Sequence, residues 1–129
     1  MRFTTDFAPS EKLVTLTTHE HLTTKGLIEM LTNLIEASHW APGMDLLIDH
    51  RDSSVENFSL NELNQVSRWV VSHKDRFGQG RCAIVAPKGQ MTKISMWIFL
   101  TKPDIDTDLQ MFQSATAARE WLGRAVEDA

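Results

Sequence analysis

The run His50-Arg51-Asp52-Ser53-Ser54 puts an imidazole, a guanidinium, a carboxylate and two hydroxyls on five consecutive residues. Together they offer a base, donors for an anion and two hydroxyl nucleophiles, which are the parts of hydrolytic chemistry. Adjacency works against that reading, because chain neighbours rarely face one another and no Gly-x-Ser-x-Gly elbow exposes a serine. The segment reads instead as a polar loop for a ligand or partner. His19 and His21 would share one face of an extended strand, with Glu20 opposite. Sequence places no third ligand beside them, so neither a metal nor another cofactor is expected. Asp104, Asp106 and Asp108 imitate the start of a calcium loop, but Leu109 occupies its glycine position and Ala115 its closing glutamate position. Gly78-Gln79-Gly80 and Pro87-Lys88-Gly89 lack the spacing of a phosphate loop. No catalytic residue emerges, and the chain reads as a non-enzyme.

The elements that would position these groups are well punctuated. Met44-Asp45-Leu46-Leu47-Ile48-Asp49 follows Pro42-Gly43 and reads as a buried strand that stops at the polar cluster. A helix then starts at Ser59, because Ser59-Leu60-Asn61-Glu62 forms a capping box and Phe58 and Leu63 stand at hydrophobic-staple positions. Its inner face carries Leu60, Leu63, Val66 and Val70, and it runs to just before Phe77-Gly78. A site in such a fold belongs at the carboxyl end of the strand.

Upstream, the alternation in residues 12–18 predicts a strand, and residues 1–10 support a short edge strand. Leu27, Leu31, Leu34 and Ile35 mark a helix over 24–37, with Thr23 or Thr24 as its cap. Downstream, residues 81–86 form a third buried strand, followed by a helix over 90–100 and an acidic loop over 101–108. Residues 109–112 form a last short strand. Ser114 or Thr116 caps a final helix with Ala118, Trp121, Leu122 and Ala125 on one face. This alternation predicts one α/β domain with a mostly parallel sheet of four or five strands and about four helices.

The helix over 90–100 is the odd one. Met91, Met96, Trp97, Phe99 and Leu100 leave it almost no polar face, which suits an interaction helix with an adaptable surface. With 129 residues, 42% hydrophobic and 23% charged, the chain is an ordinary globular domain. A formal net charge of −4 and no basic patch argue against nucleic acid. No apolar run is long enough to span a bilayer, and a single cysteine, Cys82, makes no internal disulfide. A cytoplasmic protein is expected.

The strand Leu46-Leu47-Ile48-Asp49 with its capped helix, the strand Arg81-Cys82-Ala83-Ile84-Val85, and Phe112-Gln113-Ser114-Ala115-Thr116-Ala117-Ala118-Arg119-Glu120-Trp121-Leu122 together resemble the SpoIIAA-like superfamily. That superfamily joins the STAS anti-sigma-antagonist domains and small bacterial SpoIIAA-like proteins, and the likeness covers about residues 11–123. It implies a regulatory or binding module. It also implies phosphorylation of a serine at the helix start, which by position is Ser59. The superfamily's Asp-Ser-Ser-Gly motif appears here as Asp52-Ser53-Ser54 with Val55 in place of glycine. The resulting expectation is a non-enzymatic module for a protein partner or a second copy, as a homodimer. A carrier of a small hydrophobic ligand or lipid is the alternative.

Overall fold

The computed structural model describes residues 1–125. Five strands lie in sequential order across one sheet: β1 (Arg2–Ala8), β2 (Leu13–His21), β3 (Asp45–Ser54), β4 (Arg81–Val85) and β5 (Asp108–Phe112). β1 pairs antiparallel with β2, and every other pair is parallel. The helices are α1 (Thr24–Glu36), α2 (Leu60–Ser72), the single turn α3 (Lys74–Phe77), α4 (Met91–Thr101) and α5 (Ala115–Trp121). The α/β class and the mostly parallel sheet are as the pattern predicted.

Period-two alternation divides the core into two layers. Val14, Leu16, Leu46, Ile48, Cys82, Ile84 and Leu109 face α1, α2 and α4. Leu13, Leu47, Ala83 and Val85 face the other way, onto Ala118 and Leu122 of the α5 region. The three long crossover helices therefore cover one face, and among the described residues the α5 region alone covers the other. The strand order never reverses, so the sheet has no switch-point crevice of the doubly wound kind.

Five elements differ in extent from the sequence pattern. β3 does not stop at Asp49. It continues through His50-Arg51-Asp52-Ser53-Ser54, so the expected loop is strand. β2 is long enough to hold it: His19, Glu20 and His21 pair with Asp52, Ser53 and Ser54 beyond a bulge at Thr17/His19. Glu20 adopts a φ of 73° there. The edge strand β1 is a full seven residues.

α2 ends at Ser72 rather than running to Phe77. The His73 ring stacks 4.1 Å from Trp69, with Nδ1 2.7 Å from the Trp69 carbonyl oxygen, and α3 then swings Phe77 into the core. Gly78 follows at φ 78°, where a Cβ would lie 2.6 Å from the Gly43 backbone nitrogen.

α5 stops at Trp121, which leaves Ala125 outside the helix. Gly123 at φ 71° closes the helix, its N–H bonding to the Glu120 carbonyl and that of Arg124 to the Arg119 carbonyl, and the Arg81 guanidinium donates to the carbonyls of Trp121 (2.6 Å) and Leu122 (2.9 Å). Asp45 accepts from the Arg81 backbone N–H (2.9 Å) and from Arg124 (3.0 Å), which clasps the helix to the sheet.

Candidate functional site

β3 outruns β4 by the segment after Asp49, whose partner Val85 is the last residue of β4. This overhang carries the predicted cluster and splits it between two faces. His50 points under the helices and is only 6% exposed. Its Nδ1 lies 2.7 Å from Thr18 Oγ1, which lies 2.5 Å from Ser53 Oγ. All three residues are buried. Burial pushes the His50 pKa down to about 4 against a weak opposing pull from Asp49, so the ring is neutral near pH 7. Ser53 meets Thr18 rather than His50, so the three form a core polar network and not a serine–base pair. The remaining thiol, Cys82, is raised by burial to about 12 and carries no thiolate.

The opposite face of the overhang is solvent-side. Arg51 grips Asp49 through Nε (3.0 Å) and Nη2 (2.8 Å), a bidentate pair between residues two apart on a strand. Partial burial works to raise the Asp49 pKa, but the Arg51 side chain and backbone N–H outweigh it and hold the carboxyl below its usual range. Asp52 is exposed, 3.9 Å from His19 Nδ1. Arg51 also lines an open crevice of about 400 Å³ with Pro87, Lys88, Met91 and Gln113, at the carboxyl ends of β3, β4 and β5.

The chain after Ser54 is pinned from α4. Gln90 Oε1 accepts from the Val55 N–H (2.7 Å) and the Ser54 hydroxyl (3.3 Å), and Lys93 Nζ donates to the Val55 (3.1 Å) and Glu56 (2.6 Å) carbonyls. Val55 and Phe58 are thereby buried. Neither Gln90 nor Lys93 stood out in the sequence, because a long-range side-chain to backbone bond leaves no periodic mark.

α4 is apolar on two sides for two reasons. Ile94 is buried inward, and Trp97 packs half-buried against the same core. Trp97 helps to wall an apolar cavity of about 60 Å³ with Leu22, Met30, Phe58, Ile94 and His50. A second cavity of about 40 Å³ shares Leu31, Ile48 and Trp97, so the indole stands between the two. Its Nε1 is buried with no hydrogen-bond partner among the described residues. Outward, Phe99 is 79% exposed and Met96 39%, while Met91 and Leu100 are half-buried. The five residues expected to act together are thus divided between core and surface.

No family model matches this chain, and no curated protein does. Among solved structures it is similar to an uncharacterised protein of the DUF3478 family with a SpoIIAA-like fold, from Shewanella loihica PV-4. The identity is 16%, the match covers 94% of this chain and 92% of that one, and the TM-score is 0.59. The fold is SpoIIAA-like.

Within the SpoIIAA-like frame, Asp52-Ser53-Ser54 falls inside β3, where Ser53 is buried, and not at a helix start. The exposed serine at the helix start is Ser59. Its Oγ accepts from the Glu62 N–H (3.1 Å) and lies 3.2 Å from Glu62 Oε1. The positive helix end is therefore already answered by a carboxylate, which a phosphate on Ser59 would oppose. Among the described residues, no helix of this SpoIIAA-like chain is long and apolar enough to cross a membrane.

Proposed function

We propose that this chain is a non-enzymatic binding module of regulatory type that works through protein–protein association, with α4 as its contact element. The observation that carries the reading is Phe99, a large aromatic 79% exposed on a regular helix beside the 39% exposed Met96. An exposed aromatic flanked by methionine is typical of interface centres, where a few such side chains dominate binding. Gln90 and Lys93 on the same element hold the segment after β3, so a partner on α4 would meet that segment as well. The likeness to a SpoIIAA-like structure supports this reading at the level of fold.

The test is Phe99→Asp, measured by native mass spectrometry of protein isolated from its own host. The variant should keep its thermal midpoint, because the ring makes little buried contact, and lose the mass of a bound partner protein that the wild type carries. A wild type without such a partner, or a variant that retains it, ends this reading.

The second reading is a carrier of a small hydrophobic ligand, for which the apolar cavity beside His50, at about 60 Å³, would have to open toward the roughly 300 Å³ of a small ligand pocket. A reproducible adduct on a monomer in the same spectrum would put the carrier first.

A further inference from the structure

We propose that β1 is a self-pairing edge, through which two copies of this chain join antiparallel about a two-fold axis at Thr5 to make one continuous sheet. Among the described residues β1 bonds to β2 on one side only, in unbroken register from Arg2 to Ala8. Its other side presents a row of unpaired backbone groups. Edge strands are normally blunted by charged side chains, lysine above all, by proline, by a bulge or by short length. β1 is seven residues of Arg-Phe-Thr-Thr-Asp-Phe-Ala with no proline, lysine or register shift, and its two charges, Arg2 and Asp6, are of opposite sign. The opposite edge is treated differently. β5 is five residues, with Lys102 Nζ 3.4 Å from both the Leu109 carbonyl and the Asp108 carboxylate.

Antiparallel pairing sets outward-directed residues against outward-directed ones, so only registers centred on a residue are allowed. Centring on Thr5 is the register that pairs all seven residues. It places Phe3 opposite the partner's Phe7, Thr4 opposite the partner's Asp6, and Arg2 opposite the partner's Ala8. Arg2 then has the partner's Asp6 as its diagonal neighbour, within reach of a long side chain. Symmetry repeats every pair, so the strand is complementary to itself in charge and in aromatic content. Phe3 and Phe7 are half-buried on the α1 side, and a second copy would cover their open edges. Arg2 holds Glu20 of its own chain through Nε (2.6 Å), which leaves the rest of the guanidinium fork for the partner's carboxylate. This contact is separate from the α4 reading and can fail without it.

The experiment is sedimentation velocity on the wild type, Arg2→Asp, Asp6→Arg and an equimolar mixture of the two variants. Both positions are exposed, and circular dichroism melts establish that each variant is folded. The wild type should dimerise, and each single substitution should weaken the dimer about tenfold or more, because two symmetric attractions become repulsions. The mixture should regain a heterodimer, since unlike charges face each other again at both diagonals. A wild type that is monomeric at about 100 μM overturns the proposal. So does a dimer indifferent to both substitutions, or a mixture no tighter than its components. Phe99→Asp should leave this dimer intact, and a dimer lost in that variant would move the contact to α4.

Discussion

Acidifying the protein should cost stability through one residue before any carboxylate is involved. His50 carries a pKa of about 4 in the fold against the ordinary 6.5, because burial disfavours the imidazolium. Between those values the unfolded chain binds a proton that the native chain refuses, so stability rises with pH across that window. The contribution is complete above about 6.5, falls as pH drops, and is gone near 4. A gap of this size corresponds to a contribution on the order of 3 kcal/mol, a large share of a typical total of about 5 to 15 kcal/mol. The assay is urea denaturation at steps from about pH 8 to about pH 4, for the wild type and for His50→Gln. Glutamine can still accept from Thr18 but does not titrate in this range. The wild type should lose about 3 kcal/mol more than the variant over the window. Asp49, held below its usual range, adds its own loss only as pH falls under about 3.8, outside that window. Parallel curves for the two proteins would show that His50 is not a buried neutral ring, and the site geometry built on it would fall.

Two further substitutions probe the ends of the same region. Ser59→Ala removes the α2 cap and should cost about 1 kcal/mol in denaturation, whereas Ser59→Asn, a good cap without a charge to set against Glu62, should recover most of it. Gln90→Leu strands the Val55 N–H, which should cost about 1 to 3 kcal/mol and accelerate amide exchange at Val55 while leaving β4 protected.

What could be read from the chain in advance was whatever repeats or punctuates. Leu46-Leu47-Ile48 announced a buried strand by its continuous apolarity, and that strand is buried on both faces. Ser59 and Glu62 announced a helix start by fixed spacing, and both halves of the capping box form. The overhang was invisible for the converse reason. Its inward positions, His50 and Ser53, are polar, and they tolerate burial because Thr18, more than thirty residues upstream, bonds to both. Satisfaction of that kind is a property of pairs in space. α4 was legible as a helix but not in its division of labour, since composition alone does not separate the inward Trp97 from the outward Phe99. The last helix ends at Trp121 because Gly123 turns left-handed just behind it, a stop signal that stands in the sequence, and Arg81 from a distant strand takes the carbonyls left over.

The strand order has a consequence for synthesis. Each strand docks beside the one made just before it, so the sheet can grow in one direction as the chain emerges, with α1, α2 and α4 closing the first face in turn. The second face keeps a different clock. Leu13, Leu47, Ala83 and Val85 are in place once β4 has formed, but their cover at Ala118 and Leu122 comes last. The 37 residues from Ala86 to Leu122 take roughly 2 to 7 s to translate, and during that interval one whole apolar layer stands open to the cell. For a nascent chain of this topology, the hazard to be managed lies on the side of the sheet that the finished molecule guards with one helix of seven residues.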